Sequence, residues 1–413
     1  MNIYKLSELT SEKREFIMKR AESDISEQMK IAKEVSDDIR KRGDEAVLEY
    51  TAKFDHVTLS ADEMKVKPEE IEAGYERLDA ETREAIEYAV KNIRNFHSKQ
   101  MPEEMWFTEV DKGLLVGEKT TPIVDVCLYV PRGKGSFPSV LCMLATPAVV
   151  AGVEKIVVVT PPNEEGNVDD AILAAAKIIG VSEIYKVGGI QAVASVAYGT
   201  ETIPKCHKII GPGNAYATAA KRVLSNYIDS GLPAGPSECI ILADENADPE
   251  KVALDWMIEA EHGPDSAALL VTNCEELVYK AAEIVERQLE KISDKRREFV
   301  TTNFNTYGGA IITESLEESI DFVNDYAPEH MEVMTKEPFV VLPKIKNAGE
   351  ILLGDYTPVT LCNFVLGPNA ILPTGQFAKT YSSVSVMDFL KRSSVGATVE
   401  GFDTHALAVK ERK

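Results

Sequence analysis

Apolar residues recur at helical spacing in the N-terminal part of the chain. Two stripes stand out: Ile31, Val35 and Ile39, ended by Gly43, and then Ile86, Val90, Ile93 and His97. Side chains three or four residues apart lie on one face of a helix, so each stripe predicts an amphipathic helix. His97 is expected to be a packed or half-exposed helix residue. Thr10 predicts the start of an earlier helix.

From Val124 the pattern changes to short, β-branched runs that end at Pro or Gly, separated by segments with helical spacing. These runs predict strands at 124–130, 155–160, 183–187 and 208–210, with helices at 138–152, 168–180, 190–198 and 214–225. After Ser237 the alternation returns, with strands at 239–243 and 267–271 and helices at 249–262 and 275–290. Such alternation is typical of parallel sheets. We therefore predict the α/β class, with two doubly wound, Rossmann-like parallel-sheet domains and helical N- and C-terminal arms.

Composition narrows the class of protein. Hydrophobic residues make up 44% and charged residues 27% of the 413 residues, which is ordinary for a globular protein and excludes wholesale disorder. The formal net charge is −22, and so acidic a surface repels phosphate backbones. We therefore expect no nucleic-acid partner.

The chain also lacks the usual signs of export or membrane insertion. Its first residues do not lead into the apolar segment of a signal peptide. The longest apolar run, around 140–153, contains Pro147 and is shorter than the ~20 residues that span a bilayer. The six cysteines are scattered without CxxC spacing, which favours buried thiols over disulfides or a zinc ribbon. These features predict a cytoplasmic protein without a membrane partner.

Two Glu–His pairs are candidates for chemistry. Glu259 and His262 are three residues apart near the end of a predicted helix, a spacing that suits half of a zinc site, although such pairs are more often solvated. Glu329 and His330 follow a proline, and there one side chain could activate water while the other carries a proton. The alternative is a helix start at which the Glu complements the dipole. A third histidine, His405, lies in the tail, where a surface position is the default expectation.

Two glycine-containing turns, 129–139 and 209–214, each close a predicted strand and open a predicted helix. Backbone amides at such turns can meet phosphate or a polar cofactor. Neither turn has the GxGxxG spacing, so each is a weak dinucleotide signal alone. Arg132 and Lys134 in the first turn could meet an anion or be solvated.

Taken together, these motifs resemble the histidinol dehydrogenase family over nearly the whole chain. The matching stretches are Tyr129-Val130-Pro131, Gly188-Gly189-Ile190-Gln191-Ala192, Gly199-Thr200, Lys208-Ile209-Ile210-Gly211-Pro212-Gly213-Asn214, Ala234-Gly235-Pro236-Ser237-Glu238, Ala260-Glu261-His262-Gly263-Pro264-Asp265-Ser266, Tyr326-Ala327-Pro328-Glu329-His330, Leu372-Pro373-Thr374 and Glu400 with His405-Ala406. The resemblance implies zinc- and NAD-dependent dehydrogenases that work as homodimers. Their type reaction, in histidine biosynthesis, oxidises a primary alcohol, L-histidinol, through the aldehyde to L-histidine with two NAD.

The resemblance also implies site residues. Glu329 would activate the water that hydrates the aldehyde, and His330 would be the general base. The other implied residues are the NAD contacts Tyr129, Gln191 and Asn214; the zinc ligands Glu259, His262, Asn363 and His405; and the substrate contacts Ser237, Glu259, His262, His330, Asn363, Glu400 and His405. The C-terminal arm would cross to the partner subunit, so that His405 completes the partner's site.

The same resemblance suggests a division of the chain. Residues 1–25 form an N-terminal arm, and 26–118 plus 238–382 form a first α/β domain with the catalytic and metal residues. Residues 119–237 form the NAD-binding domain, and 383–413 form a charged C-terminal arm that is expected to be helical.

This chain departs from the family pattern at four positions. Glu259 replaces a Gln and Asn363 replaces an Asp, so the total charge of the zinc ligands is kept. Ala370 replaces a substrate-contacting His, and Arg132 replaces a Gly beside the cofactor turn. Loss of a polar contact can change substrate choice strongly. Two alternatives therefore stay open: a paralogue that oxidises another, possibly anionic, alcohol, and a non-catalytic NAD-binding homologue.

Overall fold

The structure is a computed structural model and describes residues 1–20, 25–132 and 135–398. The helices are α1 (Ser11–Lys19), α2 (Ser26–Arg42), α3 (Asp44–Phe54), α4 (Ala61–Met64), α5 (Pro68–Arg77), α6 (Ala80–Ser98), α7 (Pro138–Ala151), α8 (Asp170–Ile179), α9 (Gly189–Tyr198), α10 (Ala215–Val223), α11 (Pro249–Ala260), α12 (Glu275–Leu289), α13 (Asp294–Asn305), α14 (Leu316–Tyr326), α15 (Pro338–Val341) and α16 (Val359–Leu361). The strands are β1 (Ile3–Lys5), β2 (Met105–Asp111), β3 (Leu114–Pro122), β4 (Asp125–Tyr129), β5 (Lys155–Thr160), β6 (Glu183–Lys186), β7 (Ile209–Ile210), β8 (Glu238–Ala243), β9 (Ala267–Thr272), β10 (Gly309–Ile312), β11 (His330–Met334), β12 (Glu350–Leu353) and β13 (Leu390–Thr398).

A six-stranded sheet is built mainly from the C-terminal half of the chain. Its order is β1-β10-β9-β8-β11-β12, and every neighbouring pair is parallel. Two apolar cores cover it, one around Trp256 and Phe304 and the other around Phe322 and Tyr326. The N-terminal arm is therefore not only helical, because β1 adds an edge strand to this sheet before α1 begins behind the Thr10 cap.

A second, four-stranded parallel sheet has the order β6-β5-β4-β7. The chain builds it outwards from β4 to β6 and then places β7 on the other side of β4. In open α/β sheets, ligands bind at the carboxyl ends of the strands where the strand order reverses in this way. The two predicted parallel sheets are thus present, and the carboxyl ends of β4 and β7 are where the strand order predicts a ligand.

The N-terminal helices pack against the four-stranded sheet. Val35 and Ile39 of α2 are buried in the same core as Cys127 and Tyr129 of β4, on one face of the sheet. On the other face, the α6 stripe of Ile86, Val90 and Ile93 shares a core with Val126 and Leu128. The sequence-based division had grouped residues 26–118 with 238–382 instead. A helical stripe shows that one face is buried, but not which sheet covers it.

A third, antiparallel sheet of three strands, β13-β3-β2, was not foreseen from the sequence. The helix expected in the C-terminal arm is wrong over Leu390–Thr398, because these nine residues pair with β3 as β13. Most residues of β2 and β13 are exposed on both faces. Neither strand therefore shows the alternation of apolar and polar residues that is typical of a half-buried strand. Residues 399–413, with Glu400 and His405, lie outside the described part of the chain.

The cysteines and the helices bear on the expectations of buried thiols and of no membrane span. All six cysteines are free thiols and five of them are buried, which confirms the expectation of buried thiols over disulfides. Within the described ranges, the longest helices are too polar or too short to cross a bilayer.

Candidate active site

Glu329 and His330 lie at the start of β11, buried in the protein. Helix α14 ends at Tyr326 and is capped by Ala327 in the left-handed conformation at φ 53°, and Pro328 then turns the chain into the strand. The helix start that was the alternative expectation for this motif is therefore absent, since β11 begins at His330. The two side chains are held by a strand inside the six-stranded sheet, a rigid support for a reacting pair.

His330 lies between two carboxylates. Its Nδ1 is hydrogen-bonded to Oε1 of Glu350, its register partner on β12, and its Nε2 is 3.8 Å from Oε1 of Glu329. Burial lowers the pKa of His330, but the charges of Glu329 and Glu350 outweigh burial and raise it above the ordinary histidine value. The imidazole is therefore a site where a proton is readily held.

Glu329 is also tied to the neighbouring strand β8. Its Oε2 accepts a hydrogen bond from the backbone N–H of Glu238 at 3.0 Å. Burial raises the pKa of Glu329 well above the ordinary carboxyl value, and His330 partly offsets this effect. A carboxyl group with a raised pKa accepts a proton more readily than an ordinary surface carboxylate, which suits proton transfer.

A buried ion pair, which the sequence did not point to, supports this arrangement. Oε1 of Glu238 is 3.0 Å from Nε of Arg20 and accepts a hydrogen bond from the backbone N–H of Gly375 at 2.6 Å. Burial nevertheless raises the pKa of Glu238 to about 7, because Arg20 and Gly375 offset desolvation only in part. The guanidinium of Arg20 also stacks 3.6 Å above the centre of the Tyr326 ring. Glu238 was visible in the sequence only as the last residue of a matching motif.

Glu259 is in the last turn of α11, whereas His262, which was predicted to lie on the same helix, follows two residues after its last residue, Ala260. Glu259 is only 1% exposed, and neither of its carboxylate oxygens has a hydrogen-bond partner among the described residues. His262 Nδ1 lies 3.7 Å from Oε1 of Glu259 and 3.1 Å from the carbonyl oxygen of Ile258. Glu259 is close enough to Glu329 to raise the pKa of Glu329 further. A buried carboxylate without a donor is costly, so a cation fits this position.

Of the other two predicted zinc ligands, the structure describes only one. Asn363 lies in a π-helical turn, Cys362–Leu366, and is half-buried. His405 lies in the undescribed C-terminal residues. Within residues 1–398 as far as they are described, no group of three or more His, Cys, Asp or Glu side chains could hold a metal ion. The four-ligand set therefore stays a prediction, to which the structure adds the unpartnered carboxylate of Glu259.

The three predicted cofactor residues lie at the carboxyl end of the four-stranded sheet. Tyr129 ends β4, and its Oη accepts a hydrogen bond from the backbone N–H of Gly189 at 2.9 Å. Gln191 is in the first turn of α9, which follows β6. Asn214 caps α10 after β7, with Oδ1 accepting from the N–H groups of Tyr216 and Ala217 at 3.0 Å. The sheet thus gathers these residues at the crevice that its strand order predicts.

The turn after β7 brings its backbone very close to Tyr129. Gly211 has φ 132°, and a Cβ atom there would lie 2.2 Å from the carbonyl oxygen of Tyr129. Lys221 of α10 reaches back and donates to the Gly211 carbonyl oxygen at 2.6 Å. Burial lowers the pKa of Lys221 to about 8. Only glycine allows this approach of the turn to Tyr129.

Asp55 is a further residue of this crevice that the sequence analysis did not single out. It follows α3, and its Oδ2 accepts a hydrogen bond from Nε2 of Gln191 at 2.9 Å. Burial raises the pKa of Asp55 to about 6, although Gln191, His56 and Arg132 each lower it. Arg132 is therefore near the predicted cofactor residue Gln191, whereas Lys134 lies outside the described residues.

Three other residues named from the sequence have simple environments. Ser237 is half-buried just before β8, and its carbonyl oxygen accepts a hydrogen bond from the N–H of Ala267. His97 is fully buried, with Nδ1 at 2.7 Å from Oε1 of Gln100, so the packed alternative is confirmed. Ala370 packs against the apolar core below the four-stranded sheet.

Comparison with known proteins decides the family. The sequence profile of histidinol dehydrogenase matches residues 18–412. The chain belongs to the histidinol dehydrogenase family. The predicted family is thus confirmed, and with it the enzyme class, a dehydrogenase.

Individual relatives are similar over their full length. A histidinol dehydrogenase from Synechocystis is 48% identical, over 100% of this chain and 99% of the relative. A histidinol dehydrogenase homolog from Colwellia psychrerythraea is 44% identical, over 99% of this chain and 96% of the relative. The crystal structure of histidinol dehydrogenase from Elizabethkingia anophelis superposes with a TM-score of 0.94 at 34% identity, covering 100% of this chain and 94% of that one. Since the match extends over whole chains, it supports the fold and the order of the motifs together.

Proposed function

We propose that this family member oxidises L-histidinol through the aldehyde to L-histidine, with two NAD, in histidine biosynthesis. The observation that carries this proposal is the buried pair of Glu329 and His330 beside the unpartnered carboxylate of Glu259. A pair of proton-transfer groups at one end of a sheet, next to a position that suits a cation, fits oxidation of an alcohol followed by attack of water.

His330 and Glu329 divide the proton transfers between them. In the neutral form of His330, Nε2 accepts the hydroxyl proton of the alcohol, and Nδ1 stays hydrogen-bonded to Glu350. Glu329 takes a proton from the water that hydrates the aldehyde and is held in place by the N–H of Glu238. The high pKa that burial gives Glu329 makes it a better base for water than an exposed carboxylate.

Zinc is proposed to be held by Glu259, His262, Asn363 and the partner's His405. When bound, it would polarise the alcohol or carbonyl oxygen of the substrate as a Lewis acid. Carboxylate, amide and imidazole groups are all suitable ligands of this ion. The buried oxygens of Glu259 lack donors in the described structure, which supports the proposal that this carboxylate faces a cation. Ser237 and Glu400 are proposed to contact the substrate beside these ligands.

NAD is proposed to bind at the carboxyl ends of β4 and β7, where it would accept the hydride that leaves the alcohol carbon. Tyr129, Gln191 and Asn214 are the proposed contacts. The strand order of the four-stranded sheet and the close turn at Gly211 support this placement.

The enzyme is proposed to be a cytoplasmic homodimer with an exchanged C-terminal arm. Strand β2 exposes adjacent large apolar side chains, Met105, Trp106 and Phe107, each more than 40% exposed. An apolar patch of this kind is typical of a surface that another chain covers. Six free thiols are typical of a reducing compartment.

The alternative of an anionic alcohol gains no support from the described residues. Of the two cations on which it relied, Arg132 lowers the pKa of Asp55 beside Gln191 and so lies near the proposed cofactor contacts, and Lys134 lies outside the described residues. Ala370 packs against an apolar core, so the space of the missing imidazole is next to hydrophobic side chains. A non-catalytic role is not favoured either, since the buried Glu329–His330 pair is retained.

The test of this function is NADH absorbance with L-histidinol and with a panel of other primary alcohols, including anionic ones. We expect the highest kcat/KM for histidinol and a fall of about a hundredfold or more in His330→Asn, since a missing general base typically lowers rates by that order. Preference for another alcohol would overturn the substrate, and absence of NADH formation with every alcohol would overturn the function. Asp125→Asn is the matched control, because Asp125 forms a histidine–carboxylate pair with His207 at the opposite end of β4 from Tyr129.

A further inference from the structure

Glu350 is a buried carboxylate to which the family resemblance gives no role. It is the first residue of β12, opposite His330 in the parallel register of the six-stranded sheet. Its backbone N–H donates to the carbonyl oxygen of Glu329 at 3.0 Å. Glu350 is therefore positioned by the sheet ladder itself, next to both residues of the proposed proton-transfer pair.

Both carboxylate oxygens of Glu350 have partners. Oε1 meets Nδ1 of His330, and Oε2 accepts from the thiol of Cys362. Burial and the charge of Glu350 raise the pKa of the Cys362 thiol, so Cys362 stays a neutral donor. Glu350 thus connects the imidazole of His330 to the turn that carries Asn363.

We propose that Glu350 is a positioning residue that fixes the tautomer and the orientation of His330. This inference rests on the proposed function, because it concerns the histidine that acts there as the base. A carboxylate accepts hydrogen bonds but cannot donate them, so the Nδ1 that faces it must carry the proton. In the neutral ring the other nitrogen, Nε2, is then the free acceptor, and it lies on the side of Glu329.

The arrangement also stabilises the ring after it has taken a proton. When Nε2 accepts the hydroxyl proton, the imidazolium carries two N–H groups, one directed at Glu350 and the other on the Glu329 side. Three carboxylates act on this charge: Glu329 just before the strand, Glu350 on β12 and Glu259 on α11. Of these, Glu350 is the one that the structure shows hydrogen-bonded to the ring.

A purely structural role for Glu350 makes different predictions. If Glu350 only anchored the Cys362 turn, an isosteric amide would lower stability and leave the chemistry of His330 unchanged. If it positions His330, the amide removes the charge and can present an N–H to Nδ1, which would move the proton to Nε2. The two roles can therefore be separated by a readout on the ring itself.

The experiment compares wild type, Glu350→Gln and Cys362→Ser, with Asp125→Asn as the matched control. Histidine ring NMR on ring-labelled enzyme, with His330 assigned through His330→Asn, gives its tautomer and pKa. Above the raised pKa of His330, where the ring is neutral, we expect the Nδ1–H tautomer in wild type and in Cys362→Ser. In Glu350→Gln we expect loss of that tautomer and a lower His330 pKa. In Asp125→Asn we expect a change in the His207 signal and none in that of His330.

Kinetics provide the second readout. We expect kcat of Glu350→Gln to fall by about 10- to 100-fold, with the KM for NAD unchanged, as is usual when the partner that orients a catalytic group is lost. The acid limb of its pH profile should move to lower pH, because an imidazole without its carboxylate partner is less basic. An unchanged His330 tautomer and pH profile in Glu350→Gln would overturn the proposal. If wild type oxidised no alcohol, the proposed function would fail, while the NMR result would still decide the role of Glu350.

Discussion

Gln191 donates a hydrogen bond to Asp55, and this contact joins the helix after β6 to the end of α3 at the proposed cofactor site. Oε1 of Gln191 is buried without a partner among the described residues. Asp55 therefore orients the amide of Gln191 so that Nε2 is used as the donor and Oε1 remains without a donor from the described residues. An acceptor held in this way suits a donor on a ligand, such as an amide or a ribose hydroxyl.

Asp55 should make stability depend on pH. Its folded-state pKa, raised by burial to about 6, lies above the unfolded value near 3.8, so the folded state binds more protons between these two values. The contribution of Asp55 to the free energy of unfolding is therefore fully present below about pH 4 and is lost as the pH rises through 6. We expect the melting temperature of Asp55→Asn, relative to wild type, to increase between pH 4.5 and 8. A difference that is constant with pH, measured by thermal unfolding at both values, would show that Asp55 has an ordinary pKa.

Tyr129→Phe should weaken cofactor binding without disturbing the chemistry. The substitution removes the hydroxyl that accepts from the N–H of Gly189 and loosens the turn before Gln191. We expect the KM for NAD to rise by about three- to tenfold, the usual effect of one lost hydrogen bond, with kcat nearly unchanged. Tyr185→Phe is the control, because the Tyr185 hydroxyl on strand β6 of the same sheet hydrogen-bonds to Glu183 in the described structure. Equal effects of the two substitutions on the KM would argue against a cofactor role for Tyr129.

Zinc content should follow the total charge of the ligand set. Glu259→Gln combined with Asn363→Asp exchanges carboxylate and amide and keeps one negative charge, whereas each single change alters that total. We expect the double variant to hold about one zinc per subunit, as wild type does, and the single variants to differ from it. Elemental analysis after reconstitution and dialysis measures this. Full zinc content in His262→Ala would show that the metal lies elsewhere.

The sequence predicted regular elements well where burial leaves a periodic pattern. The α2 stripe of Val35 and Ile39, and the β-branched run 155–160, are found as a helix and a strand. Strand β13 was missed because its residues are exposed on both faces and show no alternation. The packing of α2 and α6 against the four-stranded sheet was missed for another reason, since periodicity does not identify the partner surface.

The residues of the candidate site also differ in whether the sequence could identify them. Glu329, His330 and Glu259 could be named because their motifs are contiguous in sequence. Arg20 and Glu350 could not be named, because the fold brings each of them to the site from a distant segment: Arg20 to Glu238, and Glu350 to His330. Only the pairing of parallel strands and the return of the N-terminal helix bring these charges together.

The exposed apolar strand β2 should be part of the subunit interface. Phe107 is 46% exposed next to Trp106 and Met105, and a negative charge there would oppose burial against a second chain. We expect Phe107→Glu to shift the sedimentation of the enzyme from dimer towards monomer at micromolar concentration. Tyr88→Glu, on the exposed face of α6, is the control and should remain dimeric. A dimer that Phe107→Glu leaves intact would place the interface elsewhere.

Removing only Arg20 from the Arg20–Glu238 ion pair should destabilise the protein more than replacing both residues together. Arg20→Met leaves Glu238 as a buried carboxylate that has lost its cation, and breaking such pairs typically costs about 3–5 kcal/mol. Glu238→Gln leaves the Arg20 guanidinium with its other partners, the carbonyl oxygens of Tyr326 and Ala327, so we expect a smaller loss. The double variant Arg20→Met with Glu238→Gln should recover part of what Arg20→Met loses, since no uncompensated charge then remains.

Denaturant unfolding of the four proteins measures the coupling, and strictly additive effects would mean that the two groups do not interact. Because the Glu238 N–H also holds Glu329, kcat should fall in Arg20→Met and rise again in the double variant.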